Sequence, residues 1–355
     1  MIFPNYFWHP SDQPEILKKA DKKLLRKGRG IDFLKLLLTN LIWFPYLFVK
    51  FLFKKNNSTF KIKNSTLFYG LCVNLDKGDG QVALVEELGV QSLQIRFFLS
   101  DMANIDRYVE FVKSFGSDKE ILICVIQSRE HIENSELLAN DIKVVFEKFS
   151  SVTNEFMIGN AINRIKWGFV TVEEYLAFFE TIQKVRDEYF PALKLIGSSV
   201  IDFEYHFTIR TLFNSYKIHF DKLASLLYVD RRGSPKNTQY GLFDLKNKVE
   251  FLDTIVQSSS KCESQIYITE TNWPLQGTAP YAPTSELECV SEEEYTTYML
   301  EYFDIVAKTK KVEKVFWHQL ISAGYGLVDN RDGKLRKTKA FYEFKKMIEE
   351  SQNGK

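Results

Sequence analysis

The chain has 355 residues, of which 45% are hydrophobic and 26% charged, values that fit a folded globular protein with a sizeable core and exclude a disordered chain. The net charge of +1 is unevenly spread, because residues 1–65 hold thirteen Lys or Arg and only four Asp or Glu. This split predicts an anionic partner for the basic N-terminal part, while the acidic remainder argues against nucleic acid as the main ligand.

The N-terminal segment differs from the rest of the chain in composition. Its first 17 residues lack the basic start and continuous apolar run of a secretory signal. Residues 31–57, "IDFLKLLLTNLIWFPYLFVKFLFKKNN", are apolar over 36–53 apart from three polar residues, with Pro45 inside the run. That length approaches the roughly 20 residues of a spanning helix. Lys35, Lys50 and the proline argue against spanning, and basic residues on both sides give no clear orientation.

Three interpretations of this segment remain open. The favoured one is an interfacial arm, with Leu, Phe and Trp43 at the lipid headgroup boundary and Lys or Arg on anionic lipid. The others are packing on the body or on a partner chain, and true spanning. We therefore divide the chain into a basic, apolar, helical arm at residues 1–60 and a body at 61–355. The expected location is cytoplasmic and peripheral to an anionic membrane surface.

The cysteines indicate a reducing compartment. They show no C-x-x-C spacing, and two lie within apolar strand-like runs, where a buried free thiol is usual. A zinc site or a disulfide framework is not expected, and no motif calls for a metal or another cofactor. The four residues are Cys72, Cys124, Cys262 and Cys289.

From residue 66 onward, short apolar strand candidates alternate with amphipathic helix candidates, as in parallel α/β proteins. An example of a predicted helix is 171–190, with one apolar face. Eight such units over nearly 300 residues predict a (β/α)8 TIM barrel. A doubly wound sheet is the rival, but neither G-x-G-x-x-G nor a P-loop follows the first strand. The predicted strands are 66–75, 90–99, 120–127, 155–162, 193–201, 223–230, 264–273 and 314–320.

Polar and aromatic residues collect at the C-terminal ends of these strands, where a TIM barrel has its active site. Each one alone is more often a structural hydrogen-bonding residue, but their shared position across several strands predicts a site. The set is Asn74, Asp76, Arg96, Gln127, Arg129, Asn160, Asn163, Asp202, Glu204, Tyr228, Asp230, Glu270, Trp317 and His318.

Three motifs resemble the retaining glycoside hydrolases of clan A. "QIYITETNWPL" (265–275) brings a carboxylate, Glu270, to the end of the seventh strand. "IGNAINRIKWG" (158–168) resembles the fourth strand and its loop, and "KVFWHQLISAGYGLVDNRDGKLRKTKAFYEF" (314–344) resembles the eighth strand and the terminal helix. The resemblance runs in order over about residues 66–348.

The resemblance implies a role for each matching residue. Glu270 would be the nucleophile, and Asn160 would bind the sugar hydroxyl next to the reacting carbon. Arg96 would orient Glu270 and keep it ionised through a charge-assisted hydrogen bond. The alternative is that Arg96 and Glu270 form a structural salt bridge with no catalytic role. Tyr228 would contact Glu270 or the sugar, and Trp317 would form the apolar floor under the ring. The further predicted substrate-binding residues are Asn163, Trp167, Trp273 and His318.

The residue that should donate the proton is missing, because the family's acid/base Glu is replaced by Ala161. Retaining hydrolysis uses two carboxyl groups about 5–5.5 Å apart. Glu204 is the leading replacement and the run Glu292–Glu294 a weaker one; alternatively, the leaving group departs unaided. The sequence thus predicts a glycoside hydrolase-like protein acting on a glycan or glycolipid. The alternative is a non-catalytic glycan-binding pseudoenzyme or scaffold at the membrane surface.

Overall fold

The computed structural model describes residues 11–53 and 65–353, and it contains a closed barrel of eight parallel strands in chain order. All eight predicted strands are present, and the prediction of a (β/α)8 TIM barrel is confirmed. The strands are β1 Tyr69–Val73, β2 Ser92–Phe98, β3 Glu120–Ile126, β4 Glu155–Ile158, β5 Lys194–Ile201, β6 Lys222–Leu226, β7 Ile266–Thr271 and β8 Lys314–Trp317.

Helices precede the barrel and connect its strands. Several begin at a side-chain cap; for example, Ser291 and Glu294 form a capping box at the start of α10. A small antiparallel pair, β9 Val328–Asp329 and β10 Arg336–Lys337, follows β8. The helices are α1 Lys19–Arg26, α2 Gly30–Phe53, α3 Gly80–Leu88, α4 Ile105–Lys113, α5 Arg129–Glu133, α6 Ser135–Phe149, α7 Val172–Tyr189, α8 Tyr205–Leu212, α9 Leu245–Val256, α10 Glu292–Thr309 and α11 Lys339–Gln352.

The core has two layers, because side chains alternate between the two sides of each strand. On β8, Phe316 lies inside the barrel, whereas Val315 and Trp317 lie between the strands and the helices. The inner space is narrow here: a Cβ on Gly70 would lie 2.5 Å from Phe316 Cδ1, so only glycine fits opposite this ring.

Ion pairs close the N-terminal end of the barrel. Lys222 Nζ, at the start of β6, lies 2.8 Å from Glu155 Oε1 and 3.3 Å from Glu313 Oε1. Lys314 pairs with Glu120 in the same layer. A buried charge needs such partners to offset its lost hydration. The opposite end, which we call the mouth, is formed by the C-terminal ends of the strands and the loops that follow them.

The helix α2 packs along the outside of the barrel on α8 and α9. The Trp43 ring stacks on Phe213 at 4.1 Å between centroids, and Leu47 is fully buried. The helix is continuous through Pro45. The packing interpretation is therefore observed for one face, while no element within residues 11–53 and 65–353 covers the other face. The predicted division at residue 60 falls outside the described residues and stays a prediction.

Candidate active site

Glu270 lies at the mouth near the end of β7, and two side chains from neighbouring strand ends hold its carboxylate. Arg96 Nη2, on β2, donates a hydrogen bond to Glu270 Oε2 at 2.7 Å. The Tyr228 hydroxyl, just after β6, donates to Glu270 Oε1. All three residues are at least 93% buried. The pairing register of β7 with β8 shifts between Ile268 and Thr271, and Glu270 lies within this irregularity.

The surroundings of Glu270 keep it ionised. Burial by itself raises the pKa of a carboxyl group. Here the positive charge of Arg96, with the hydrogen bonds from Tyr228 and Arg96, outweighs burial and holds the Glu270 pKa below its usual value. Burial lowers the pKa of His318 to about 4, so Arg96 is the neighbouring cation at neutral pH. Burial and Glu270 together raise the pKa of the Tyr228 hydroxyl, which therefore stays a donor.

His318 and Tyr325 complete the β8 side of the site. Arg96 Nη2 lies 3.2 Å from His318 Nε2, and because arginine can only donate, the imidazole accepts. The His318 ring stacks on Tyr325 with centroids 5.5 Å apart. The backbone of Tyr281 lies 2.1 Å from where a Cβ on Gly324 would be, so glycine is required beside Tyr325. We did not predict Tyr325, although an aromatic residue between two glycines after a strand is a recognisable signal.

Asn160 presents a buried amide that has no partner in the described part of the chain. Gln127 holds the Asn160 backbone, accepting from its N–H at 2.9 Å and donating to its carbonyl at 2.9 Å. The Asn160 side chain is left free, and neither Nδ2 nor Oδ1 has a protein hydrogen bond. Because a buried amide without partners is costly, this arrangement is suited to a polar ligand. Trp167, from the same loop, lies beneath the Arg96 guanidinium at 5.8 Å.

Ala161 faces the inside of the barrel. It is fully buried in one cluster with Trp167 and Tyr228, and its φ of +44° lies in the left-handed region. Its methyl group thus lies in the same inner layer as the tyrosine that contacts Glu270. Proton transfer by Ala161 is chemically impossible.

Glu204, the predicted replacement acid, is occupied elsewhere. Arg164 Nη1 donates to Glu204 Oε1 at 2.8 Å, and Asn163 Nδ2 donates to Glu204 Oε2 at 2.7 Å. Asn163 also bonds the backbone of Ile201 in both directions, so its amide joins two loops and is not left open for a ligand. The weaker candidates, Glu292–Glu294, form the first turn of α10. Neither set is seen in contact with Glu270.

The roles predicted for Trp317 and Trp273 need correction. Both rings are fully buried and stack on each other at 5.9 Å in the layer between the strands and the helices. Trp317 Nε1 donates to the Tyr295 hydroxyl of α10 at 2.8 Å, which fixes it on the outside of the barrel. The reason is strand alternation: Phe316 points inward, so its neighbour Trp317 points outward. Trp317 therefore does not form a floor under a sugar.

Residues from the N-terminal segment also reach the mouth, which the sequence did not indicate. Asp12 Oδ2 accepts hydrogen bonds from Gln319 at 2.8 Å and from Tyr325 at 3.1 Å. Gln13 contacts Lys166, in the loop after β4. Burial and the nearby Arg164 lower the pKa of Lys166 to about 8, and Glu270 acts in the opposite direction. Within the described residues no group of three or more His, Cys, Asp or Glu could hold a metal ion.

Comparisons with known proteins agree with the fold. No family model and no curated protein matches the sequence. A β-glucosidase from Thermotoga maritima in complex with deoxynojirimycin matches with a TM-score of 0.57 and 10% identity, over 81% of this chain and 98% of that chain. The complex of the β-glucosidase with glucoimidazole matches with a TM-score of 0.57 and 12% identity, over 78% of this chain and 87% of that chain. A family 1 β-glucosidase from the same organism matches with a TM-score of 0.54 and 12% identity, over 77% of this chain and 86% of that chain. The barrel of this chain is therefore similar to the barrels of these β-glucosidases, and this likeness concerns the fold alone.

Proposed function

We propose that the chain is a glycoside hydrolase-like protein of the retaining type, with Glu270 as nucleophile and a glycan or glycolipid as substrate. The main support is the combination of an ionised, buried carboxylate near the end of β7 and a buried amide after β4 that has no partner among the described residues, both at the mouth of one barrel. Arg96 and Tyr228 hold the Glu270 carboxylate, and Asn160 offers both an acceptor and two donors. A sugar with adjacent hydroxyl groups satisfies such an amide.

In the proposed reaction a Glu270 oxygen attacks the anomeric carbon of the sugar. The new C–O bond forms as the bond to the aglycone oxygen breaks, and the electron pair leaves with that oxygen. Water then hydrolyses the glycosyl ester and releases the sugar with its original configuration. Arg96 and Tyr228 orient the carboxylate for attack, while Asn160 binds the hydroxyl next to the reacting carbon. A sugar bound there would satisfy the amide that is left free.

The absence of a carboxyl group at position 161 restricts the reaction. A positioned general acid typically contributes 10²–10⁴-fold. Without it, the aglycone must leave as an anion, so substrates whose leaving group has a low pKa are favoured. Glu204 stays a candidate acid only if it exchanges its bonds to Arg164 and Asn163 for the substrate.

The second candidate function is glycan binding without catalysis. It rests on the absence of a carboxyl group at position 161, where the chain has Ala161. A site that binds sugar through Asn160 and Arg96 but lacks a proton donor can serve as a receptor or scaffold. The two candidates share a ligand and differ in whether Glu270 forms a covalent bond.

A panel of dinitrophenyl and alkyl glycosides, with deoxynojirimycin binding measured by calorimetry, tests both candidates. We expect turnover of the activated glycosides only and its loss in Glu270→Gln. Glu204→Gln is the matched control and should retain turnover unless Glu204 supplies the proton. Binding without turnover in every variant would establish the pseudoenzyme. Turnover that survives in Glu270→Gln would refute the nucleophile assignment.

We also propose that α2 docks the protein on an anionic lipid surface from the cytoplasmic side. By length and composition this helix could cross a membrane. One face packs on the barrel, and both lysines of the helix bond to it: Lys50 donates to Ser258 at 2.9 Å, and Lys35, half exposed at the edge of this face, pairs with Glu173 at 3.4 Å. The other face, here called the outer face, is uncharged. Its side chains, 48–81% exposed, are Leu37, Leu38, Leu41, Ile42, Tyr46, Val49, Leu52 and Phe53.

This pattern supports lying on a bilayer rather than crossing it, because a spanning α2 would have to leave α8 and α9. The basic residues of α1 would meet anionic headgroups beside the apolar face. Leu41→Asp should weaken co-sedimentation with phosphatidylglycerol-containing vesicles. Leu287→Asp is the control, since Leu287 is 97% exposed on another part of the surface. Equal vesicle binding by the two variants would contradict the docking proposal.

A further inference from the structure

The segment of residues 11–17, here called the strap, is bound to the β1 and β8 side of the mouth. Asp12 Oδ1 lies 2.6 Å from Lys77 Nζ, in the loop after β1. Asp12 Oδ2 accepts from Gln319 and Tyr325, both after β8. The Tyr325 hydroxyl also lies 3.2 Å from the Ser11 carbonyl. One carboxylate of the strap thus joins two adjacent loops of the rim.

The strap also reaches the opposite side of the mouth. Gln13 Oε1 accepts from Lys166, which follows β4, and Gln13 Nε2 donates to the Pro283 carbonyl at 3.2 Å. In a closed barrel of eight strands in chain order, β4 lies opposite β8. Adjacent residues of the strap are therefore bonded to loops on both sides, so the strap crosses the opening.

At this position the strap lies next to the candidate site. Tyr325, to which Asp12 binds, stacks on His318, and His318 contacts Arg96. The exposed fraction of Glu270 is 7% and that of Asn160 is 1%. A sugar must touch both residues to react, so the bound strap and an occupied site exclude each other at this opening.

The attachments of the strap allow its release without unfolding the barrel. The hydrogen bonds and the ion pair come from Ser11, Asp12 and Gln13, and Pro14 and Leu17 add two buried apolar side chains. None of the residues of α1, which follows, is buried. Gly28 has a φ of +80°, and a Cβ on Gly28 or Gly30 would meet nothing within 4 Å. This glycine-containing joint separates α1 from α2. Its C-terminal part is held on the barrel, because Arg29 pairs with Glu174 at 2.6 Å, and α2 is held by Trp43 and Leu47. The strap and α1 can swing about Lys27 and Gly28 while Arg29 and α2 stay in place.

The charge of α1 indicates which kind of ligand could bind this helix and pull the strap away from the mouth. Six exposed or half-exposed basic residues cluster in and beside this short helix, with one acid, Asp21. Ile16 and Leu24 are 78% and 56% exposed, so the segment is basic and apolar at once. Such a segment binds anionic lipid surfaces. The basic residues are Lys18, Lys19, Lys22, Lys23, Arg26 and Lys27.

We propose that residues 11–17 are an autoinhibitory strap that closes the mouth over Glu270, and that docking of α1 on an anionic lipid surface withdraws it. The proposal rests on the proposed function for its consequence, access of sugar to Glu270. Its structural part, opening of the strap, can be measured without any sugar.

The first experiment compares Asp12→Asn with Glu15→Gln in the full-length protein. Both remove one carboxylate from the strap, but Glu15 is exposed whereas Asp12 holds the rim. One charge-assisted hydrogen bond is worth about a tenfold change in an equilibrium. We therefore expect amide hydrogen exchange in residues 11–17 to accelerate at least about tenfold in Asp12→Asn and to stay unchanged in Glu15→Gln. Equal exchange in the two variants would overturn strap closure.

The second experiment adds vesicles to the unmodified protein. Vesicles of phosphatidylcholine with 30% phosphatidylglycerol should accelerate exchange in 11–17 and strengthen deoxynojirimycin binding, whereas pure phosphatidylcholine should do neither. Unchanged exchange with bound anionic vesicles would overturn the lipid trigger. If exchange accelerates but deoxynojirimycin binds to no variant, the strap stands and the proposed sugar site fails.

Discussion

Removing the hydroxyl of Tyr228 should cost more stability than removing an equally buried hydroxyl elsewhere. Tyr228 donates to the Glu270 carboxylate, whereas Tyr205 donates to the neutral Lys248 carbonyl at 3.1 Å. The two tyrosines are 5% and 3% exposed. Hydrogen bonds to charged groups contribute about 1.5–3 kcal/mol and neutral ones about 0.5–1.5 kcal/mol. We expect Tyr228→Phe to lower the free energy of unfolding by about 3 kcal/mol and Tyr205→Phe by about 1 kcal/mol.

Urea denaturation across pH separates this cause from a loss of packing. The folded-state pKa of Glu270 is held below its usual value. The ionised carboxylate therefore stabilises the folded protein at pH values above the usual pKa, and this stabilisation is lost as the pH falls through the folded-state pKa. The extra cost of Tyr228→Phe should therefore be complete at pH 7 and shrink below about pH 4.3. The cost of Tyr205→Phe should not change with pH. Equal costs at pH 7, or a Tyr228→Phe cost independent of pH, would refute the reasoning.

Three further predictions concern other parts of the molecule. Ala161→Glu should raise the turnover of unactivated glycosides, measured by steady-state kinetics. The gain should be smaller than the roughly 10²–10⁴-fold that a positioned acid contributes, because Ala161 is fully buried and leaves little room for a longer side chain. If Glu204 already donates the proton, the substitution should give no gain. Lys222→Met should lower the unfolding free energy at pH 7 by less than the roughly 3–5 kcal/mol of a fully unpaired buried charge, because Glu155 keeps its hydrogen bond from Tyr267 at 3.0 Å; the cost should shrink in acid, where the Glu155 carboxyl is protonated. Trp43→Ala should cost about 2–4 kcal/mol in urea denaturation, whereas Leu41→Ala on the outer face should change stability by less than about 0.5 kcal/mol.

The barrel and the centre of its site could be predicted from the sequence because both depend on local patterns. Alternating strand and helix segments determine the fold class, and parallel strands bring their C-terminal ends to one rim. That rule places Arg96, Tyr228 and Glu270 at the rim together with eleven other residues, and the resemblance to clan A glycoside hydrolases singles these three out as neighbours. The structure places Arg96 and Tyr228 in direct contact with Glu270. The position of a residue at the C-terminal end of a barrel strand is enough to place it at the mouth, without knowledge of its long-range contacts.

Three features depended on contacts that no local pattern records. The side to which Trp317 points depends on which residues of β8 face the inside of the closed barrel; alternation along the strand is local, but only the packing of Phe316 inside decides its phase. Which face of α2 is covered depends on α8 and α9, more than 150 residues away along the chain. The strap joins Asp12 to Gln319 and Tyr325 across more than 300 residues. Short polar segments of this kind carry no hydrophobic period, so their place is decided only when the tertiary fold brings their partners together.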